Sequence, residues 1–228
     1  MNDFLAYVGK ILPGMLSGFG VTLQLFGLTL LLSIPLGLVI SFGSMSRILP
    51  IKGLAKFYVW LFRGTPLMLQ LFVFYYGFGI IAENMGWYFL RWDRFPAAVI
   101  TFVLNYAAYF SEIFRAGIES IDKGQFEAAR ALGFTRRQTM FSIIIPQTVR
   151  RVIPPASNET ITLIKDTALV NVISVAEMMK VAKDRVSTDS NLTGYLIAAL
   201  LYLLFTFVLT IIYRRLEKRF SRHEQEAV

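Results

Sequence analysis

Apolar residues occur along this chain in blocks of membrane-spanning length, separated by short polar stretches, and that alternation predicts a bundle of transmembrane helices. A spanning helix needs about 20 mostly apolar residues. Residues 14–42 supply such a run without a charge. A second follows Arg63-Gly64-Thr65-Pro66 and continues from Leu67 to about Ala82, short unless its helix begins earlier, near Phe57. The third covers residues 95–118, with Glu112 and Arg115 near its end. The fourth is expected to start after Pro154-Pro155 and reach about Ala176, interrupted by Glu159, Lys165 and Asp166. The fifth, residues 196–213, is uncharged. Pro35 and Pro66 are expected to kink their helices. Residues 1–13 read as an interfacial lead-in anchored by Phe4, Leu5 and Tyr7. The first apolar run is too long for a signal-peptide core, so the N-terminus is expected to be retained. The expectation is an all-α, polytopic membrane protein of about five transmembrane helices. With no internal repeat in view, it forms a single domain over residues 1–228.

Composition agrees with that pattern. Hydrophobic residues make up 55% of the chain and aromatic residues 14%, an excess that a soluble surface does not tolerate. The formal charge of +8 taken alone suggests nucleic acid, but position argues otherwise. Lys and Arg crowd at the ends of apolar runs, where they orient a protein in a bilayer. Lipid is therefore an expected partner and nucleic acid is not. With five spans, fifteen Lys and Arg fall on one side and six on the other. The positive-inside rule then puts the Glu127 loop and the C-terminus in the cytoplasm and the N-terminus outside. Trp87, Tyr88 and Trp92, in an outer loop, suit an interfacial aromatic belt. The chain has no cysteine, which argues against disulfides and a thiolate metal site, and no metal site is expected. His223, in the charged tail, reads as solvated.

The most informative polar stretch is residues 122–146. Residues 125–132 are rich in helix formers, and Gly133 can end a helix through a left-handed conformation. Helical character resumes over residues 134–145 until Pro146, whose missing N–H is expected to break it. Glu127 can accept hydrogen bonds, and the small Ala128 and Ala129 let another backbone approach. Taken on physics alone, the segment equally fits a basic amphipathic loop resting on anionic lipid.

The ordered spacing of Glu127-Ala128-Ala129, Gly133, Ile143 and Ile145-Pro146 resembles the docking signature of permease subunits of bacterial ATP-binding-cassette importers, with Ile145 where Leu is usual. Arg63-Gly64-Thr65-Pro66, the run from Asn105 to Glu112, Arg115-Ala116-Gly117-Ile118, Ile153-Pro154-Pro155 and the run from Lys165 to Leu169 resemble the polar amino acid branch of that family. These elements cover most of residues 14–213. The resemblance implies a MetI-like permease domain with its ATPase-docking loop at about residues 119–147, and assigns coupling to Glu127, Ala128, Ala129 and Gly133. It further implies a second permease subunit (identical or homologous), separate ATPase subunits holding ATP and Mg, and an extracytoplasmic solute-binding protein. This chain has no G-x-x-x-x-G-K-[ST] loop, so it is expected to be a transport subunit that carries no cofactor and hydrolyses no nucleotide. A secondary transporter or channel is the alternative, against which the missing repeat counts.

Carboxylates within spans require a partner or a function. On a helix, Glu159, Thr162 and Asp166 share one face, with Asn158 at its edge, and lipid cannot satisfy such a stripe. One reading pairs Glu159 with Arg63 or Lys165 to fix packing. The other lines the translocation path with Glu159, Asn158 and Thr162, favouring basic amino acids such as arginine, lysine and histidine. Asn105, midway along the third span, either offers a hydrogen bond to the solute or ties two helices together. Glu112 and Arg115 read as a local ion pair.

Overall fold

The computed structural model describes residues 2–221, all helix and connecting turns; Arg222 and His223 lie outside the described residues. Helix α1 (Asn2–Ser44) absorbs the expected lead-in, running unbroken through Pro13 and Pro35. Its first turns do not lie apart, because Ile11 and Met15 are fully buried against residues near the other end of the chain, Met178, Ala182 and Ile197. Helix α2 (Leu49–Gly64) opens with a proline in its first turn and stops at Thr65, whose backbone is extended, the conformation favoured for a residue before proline. Helix α3 (Leu67–Phe72), a widened turn over Val73–Gly77, and α4 (Phe78–Met85) follow in succession. The second span thus starts at Leu67, as expected, and the earlier start near Phe57 is not taken, because residues 57–64 belong to α2 across the break at Thr65-Pro66.

Helix α5 (Arg94–Glu119) is the centre of the molecule. Phe102, Tyr106, Ala107, Ala108 and Phe110 on it are buried, and α1 packs along it. A Cβ placed on Gly37 of α1 would come within 2.8 Å of the Phe110 Cβ and 2.9 Å of the Ala107 carbonyl. Small residues permit this approach in a medium where apolar burial does not itself hold helices together. The Tyr58 hydroxyl donates to the Leu104 carbonyl at 2.6 Å, joining α2 to the same helix.

Beyond α5 come α6 (Lys123–Ala131), α7 (Arg136–Gln138), a widened turn over Thr139–Ile144, and α8 (Ile145–Asp166). Two expectations are corrected here. Pro146 does not end a helix; the widened turn over Thr139–Ile144 runs directly into α8, and the chain stays helical through Pro146 although its N–H is missing. Nor does the span begin after Pro154-Pro155, which lie inside α8. The helix continues because Ser157, Thr160, Leu163 and Ile164 bury one face of it, and neighbouring helices tolerate prolines in such a setting. A 3₁₀ stretch over Thr167–Ile173, α9 (Met178–Asp189) and α10 (Thr193–Ser221) complete the chain.

Among the described residues, four stretches are long and apolar enough to cross a membrane: Phe4–Ser44, Leu67–Met85, Arg94–Glu119 and Thr193–Phe220. At 22 residues α8 has the length, but with Arg150, Arg151, Glu159, Lys165 and Asp166 on it the helix is too polar to face lipid all round. It completes the expected set of five only as a helix whose polar side faces protein and cavity.

Candidate functional site: a polar cavity beside the helix break

The break between α2 and α3 is held from inside. The Gln70 amide, almost fully buried, donates to the Phe62 carbonyl at 2.9 Å and to the Thr65 hydroxyl at 2.7 Å. The Asn105 amide donates to the same Phe62 carbonyl at 3.1 Å and to Gln70 Oε1 at 2.9 Å. Two buried amides thus satisfy the carbonyls that the broken helix leaves without partners. Gln70 was missed in the sequence, where the signal was a lone amide five residues beyond Thr65 in an otherwise apolar run.

Against this break the chain leaves a cavity of about 410 Å³, walled by Arg63, Asn105, Tyr109, Glu159, Thr162 and Asp166 among others. Three of the four expected solute-site residues, Glu159, Thr162 and Asn105, therefore meet in one space. The fourth, Asn158, faces a larger neighbouring cavity of about 730 Å³ that Glu159 also lines. Asp166 is steadied by the Tyr106 hydroxyl, which donates to its Oδ2 at 2.8 Å. Glu159 has no ion pair among the described residues; Arg63 is instead 3.6 Å from Glu112, and Lys165 is exposed. Structural pairing of Glu159 is therefore not what this structure displays. Glu112 and Arg115 do form the expected local pair, with Arg115 Nε at 3.0 Å and Nη2 at 2.7 Å from the two carboxylate oxygens. Arg115 also reaches Glu119 at 2.6 Å.

The loop that leads into α8 is closed at both ends by its own hydrogen bonds. Asp122 caps α6 through the Gly124 N–H. At the other end Gly133 has φ +78°, the Phe134 N–H bonds the Ala129 carbonyl at 2.9 Å, and the Gly133 N–H bonds the Arg130 carbonyl at 3.0 Å. That is a Schellman closure, for which glycine is the unstrained residue. Thr135 and Gln138 then exchange caps to start α7. Glu127 and Ala128 are exposed, whereas Ala129 is buried. Its small side chain serves the loop's own packing, so the exposed surface here is that of Glu127 and Ala128. Leu132 and Phe141, large and apolar, are exposed on the same polar segment. The Arg151 guanidinium donates to the Ser120 carbonyl, tying α8 back to the end of α5.

A cavity with carboxylates inside a bundle of spanning helices is the architecture of a solute permease. Residues 33–222 match the model for the binding-protein-dependent transport system inner membrane component, and the chain belongs to that family. It is 38% identical over 223 residues to the arginine transport system permease protein ArtQ of Bacillus subtilis, covering 97% of this chain and 99% of that one. It is also 38% identical over 213 residues to the L-cystine transport system permease protein TcyB of the same organism, covering 92% and 88%. A solved amino acid ABC transporter with histidines superposes with a TM-score of 0.85 at 36% identity, covering 95% of this chain and 98% of that chain. The protein is a multi-pass permease subunit of an amino acid ABC importer, with the all-α fold of that family.

Proposed function

We propose that this permease carries basic amino acids and is driven by separate ATPase subunits seated on the loop between α5 and α8. The observation that supports the solute reading is the charge of the smaller cavity. Glu159 and Asp166 face it against the guanidinium of Arg63, so its walls bear net negative charge. Such a site attracts an arginine, lysine or histidine side chain and repels an acidic one. Asn105 spends its amide hydrogens on Phe62 and Gln70, which leaves its oxygen to accept from a solute ammonium group. Asn158, the residue before Glu159, and Thr162, one helical turn further on, supply further polar contact in the two cavities. The likeness to the Bacillus subtilis arginine transport permease agrees with this reading, while the equally similar cystine permease means that likeness alone does not select the solute.

The coupling reading is supported by the loop. Glu127, Ala128 and Gly133 stand on a self-capped, exposed segment beside Leu132 and Phe141, and exposed apolar side chains on a polar loop mark a contact surface. From Ile145 to Glu159 the chain is one helix, about 21 Å at 1.5 Å per residue, so a push on the loop is delivered to the cavity through a single rigid element. ATP and Mg belong to the partner in this scheme. The loop and the C-terminus face the cytoplasm, by the bias of Lys and Arg. A second permease subunit completes the translocation path, and an extracytoplasmic binding protein delivers the solute.

Glu159→Gln tests the solute reading in uptake assays with the assembled transporter. The expected outcome is a loss of the preference for basic over neutral amino acids by about tenfold, the scale of one removed charge contact in a partly dry site. An unchanged preference removes Glu159 from solute selection.

A further inference from the structure

The two cavities share three wall residues, Arg63, Tyr109 and Glu159. Those three form the partition between the space beside the helix break and the larger space that runs toward Ser120 and Arg151 at the loop end of the bundle. The backbone behind Arg63 is fixed, because Phe62 and Thr65 on either side of it are both held by Gln70. Its side chain is not. The side chain is 43% exposed, and its guanidinium stands 3.6 Å from Glu112 Oε2, beyond hydrogen-bond length. That same oxygen already accepts from Arg115 at 2.7 Å. On its other side the guanidinium lies over the Tyr109 ring, 5.2 Å from the centroid. A stretched ion pair to an occupied carboxylate and a contact with a ring face are weak tethers at this exposure. Glu159, the third member of the partition, offers an unpaired carboxylate in the same two spaces.

Resting on the acidic-cavity reading above, we propose that Arg63 is a tethered counter-ion that partitions between Glu112 and Glu159 and thereby sets the affinity for cationic solutes. Parked on Glu112, as in this structure, it leaves Glu159 to the solute. Moved to Glu159, it takes the solute's place and favours release into the larger cavity. Arginine suits the task because its long side chain remains charged in either position and its planar fork matches either carboxylate. Glu112 then acts on the solute only through Arg63. A neutral solute, which does not draw on Glu159 for charge, is indifferent to where Arg63 sits.

The test is a double-mutant cycle, read as equilibrium binding of arginine and of glutamine to the purified permease–ATPase complex without its binding protein. Glu112→Gln loosens the parking place, and is expected to weaken arginine binding by about fivefold or more while leaving glutamine binding unchanged. In an Arg63→Gln background the same Glu112→Gln change is expected to have no effect on arginine. Arg63→Lys keeps the charge and serves where Arg63→Gln does not assemble; in that background the Glu112→Gln loss persists, reduced. Equal losses for arginine in the presence and absence of Arg63, or equal losses for arginine and glutamine, overturn the proposal and make Glu112 a purely structural partner of Arg115. A wild-type complex with no preference for arginine overturns the acidic-cavity reading itself. A preference with an additive cycle overturns the role of Arg63 alone.

Discussion

At the scale of single residues, close approach and buried amides decide more than charge does. Gly37 and Gly20 both lie in α1, yet a Cβ on Gly20 meets nothing within 4 Å whereas one on Gly37 runs into the α5 backbone. A carbonyl in a helix cannot move aside cheaply. Gly37→Ala is therefore expected to destabilise the detergent-solubilised protein by about 1–3 kcal/mol, the range for overpacking. Gly20→Ala gains the helix propensity of alanine without the clash and is expected to be neutral or mildly stabilising. Thermal unfolding of the two variants side by side checks this; equal midpoints contradict the close packing of α1 on α5. A glycine permits close packing, but nothing in the sequence says which partner Gly37 meets. For Asn105 it offered two roles, and the structure displays the interhelical one through Phe62 and Gln70 while leaving the side chain on the cavity wall.

At the scale of elements, the break at Thr65-Pro66 was legible because proline restricts the residue before it, and the end of α6 at Gly133 was legible because glycine favours the left-handed cap. Where α8 starts was not. Pro146, Pro154 and Pro155 argue locally against helix, and packing of Ser157, Thr160, Leu163 and Ile164 overrides them. The joint between α1, α9 and α10 was also hidden. Glu177, fully buried, accepts from the N–H groups of Met179 at 2.8 Å and Lys180 at 2.7 Å and from the Tyr202 hydroxyl at 3.1 Å. Thr22 Oγ1 on α1 accepts from the Met178 N–H beside it. Glutamate is not among the favoured N-caps, so nothing in the local sequence marked it. Glu177→Ala is expected to lower stability by about 1–3 kcal/mol, because it leaves buried donors unpaired. Asp184→Ala, which removes only the exposed partner of Lys180, is expected to change it by less than about 1 kcal/mol. Unfolding midpoints that place the two variants together contradict this role for Glu177.

At the scale of the whole molecule, a helix that bears the cavity's carboxylates begins where an exposed, self-capped loop ends. The order of spans and the position of that loop could be read from apolar runs and from the spacing of Glu127 to Pro146. The cavity could not, because it depends on Arg63 from α2, Asn105 from α5 and Glu159 from α8 meeting at a break whose depth no single segment specifies. The central claim is mechanical: a separate ATPase pushes on the Ala128 surface from the cytoplasm. The chain has no cysteine, so Ala128→Cys introduces a single thiol at an exposed position. The most direct measurement is its labelling by a membrane-impermeant maleimide in right-side-out and inside-out vesicles, with and without the ATPase subunits. Labelling confined to inside-out vesicles and suppressed by the ATPase is the expected result; labelling from the outer face, or labelling indifferent to the ATPase, contradicts it.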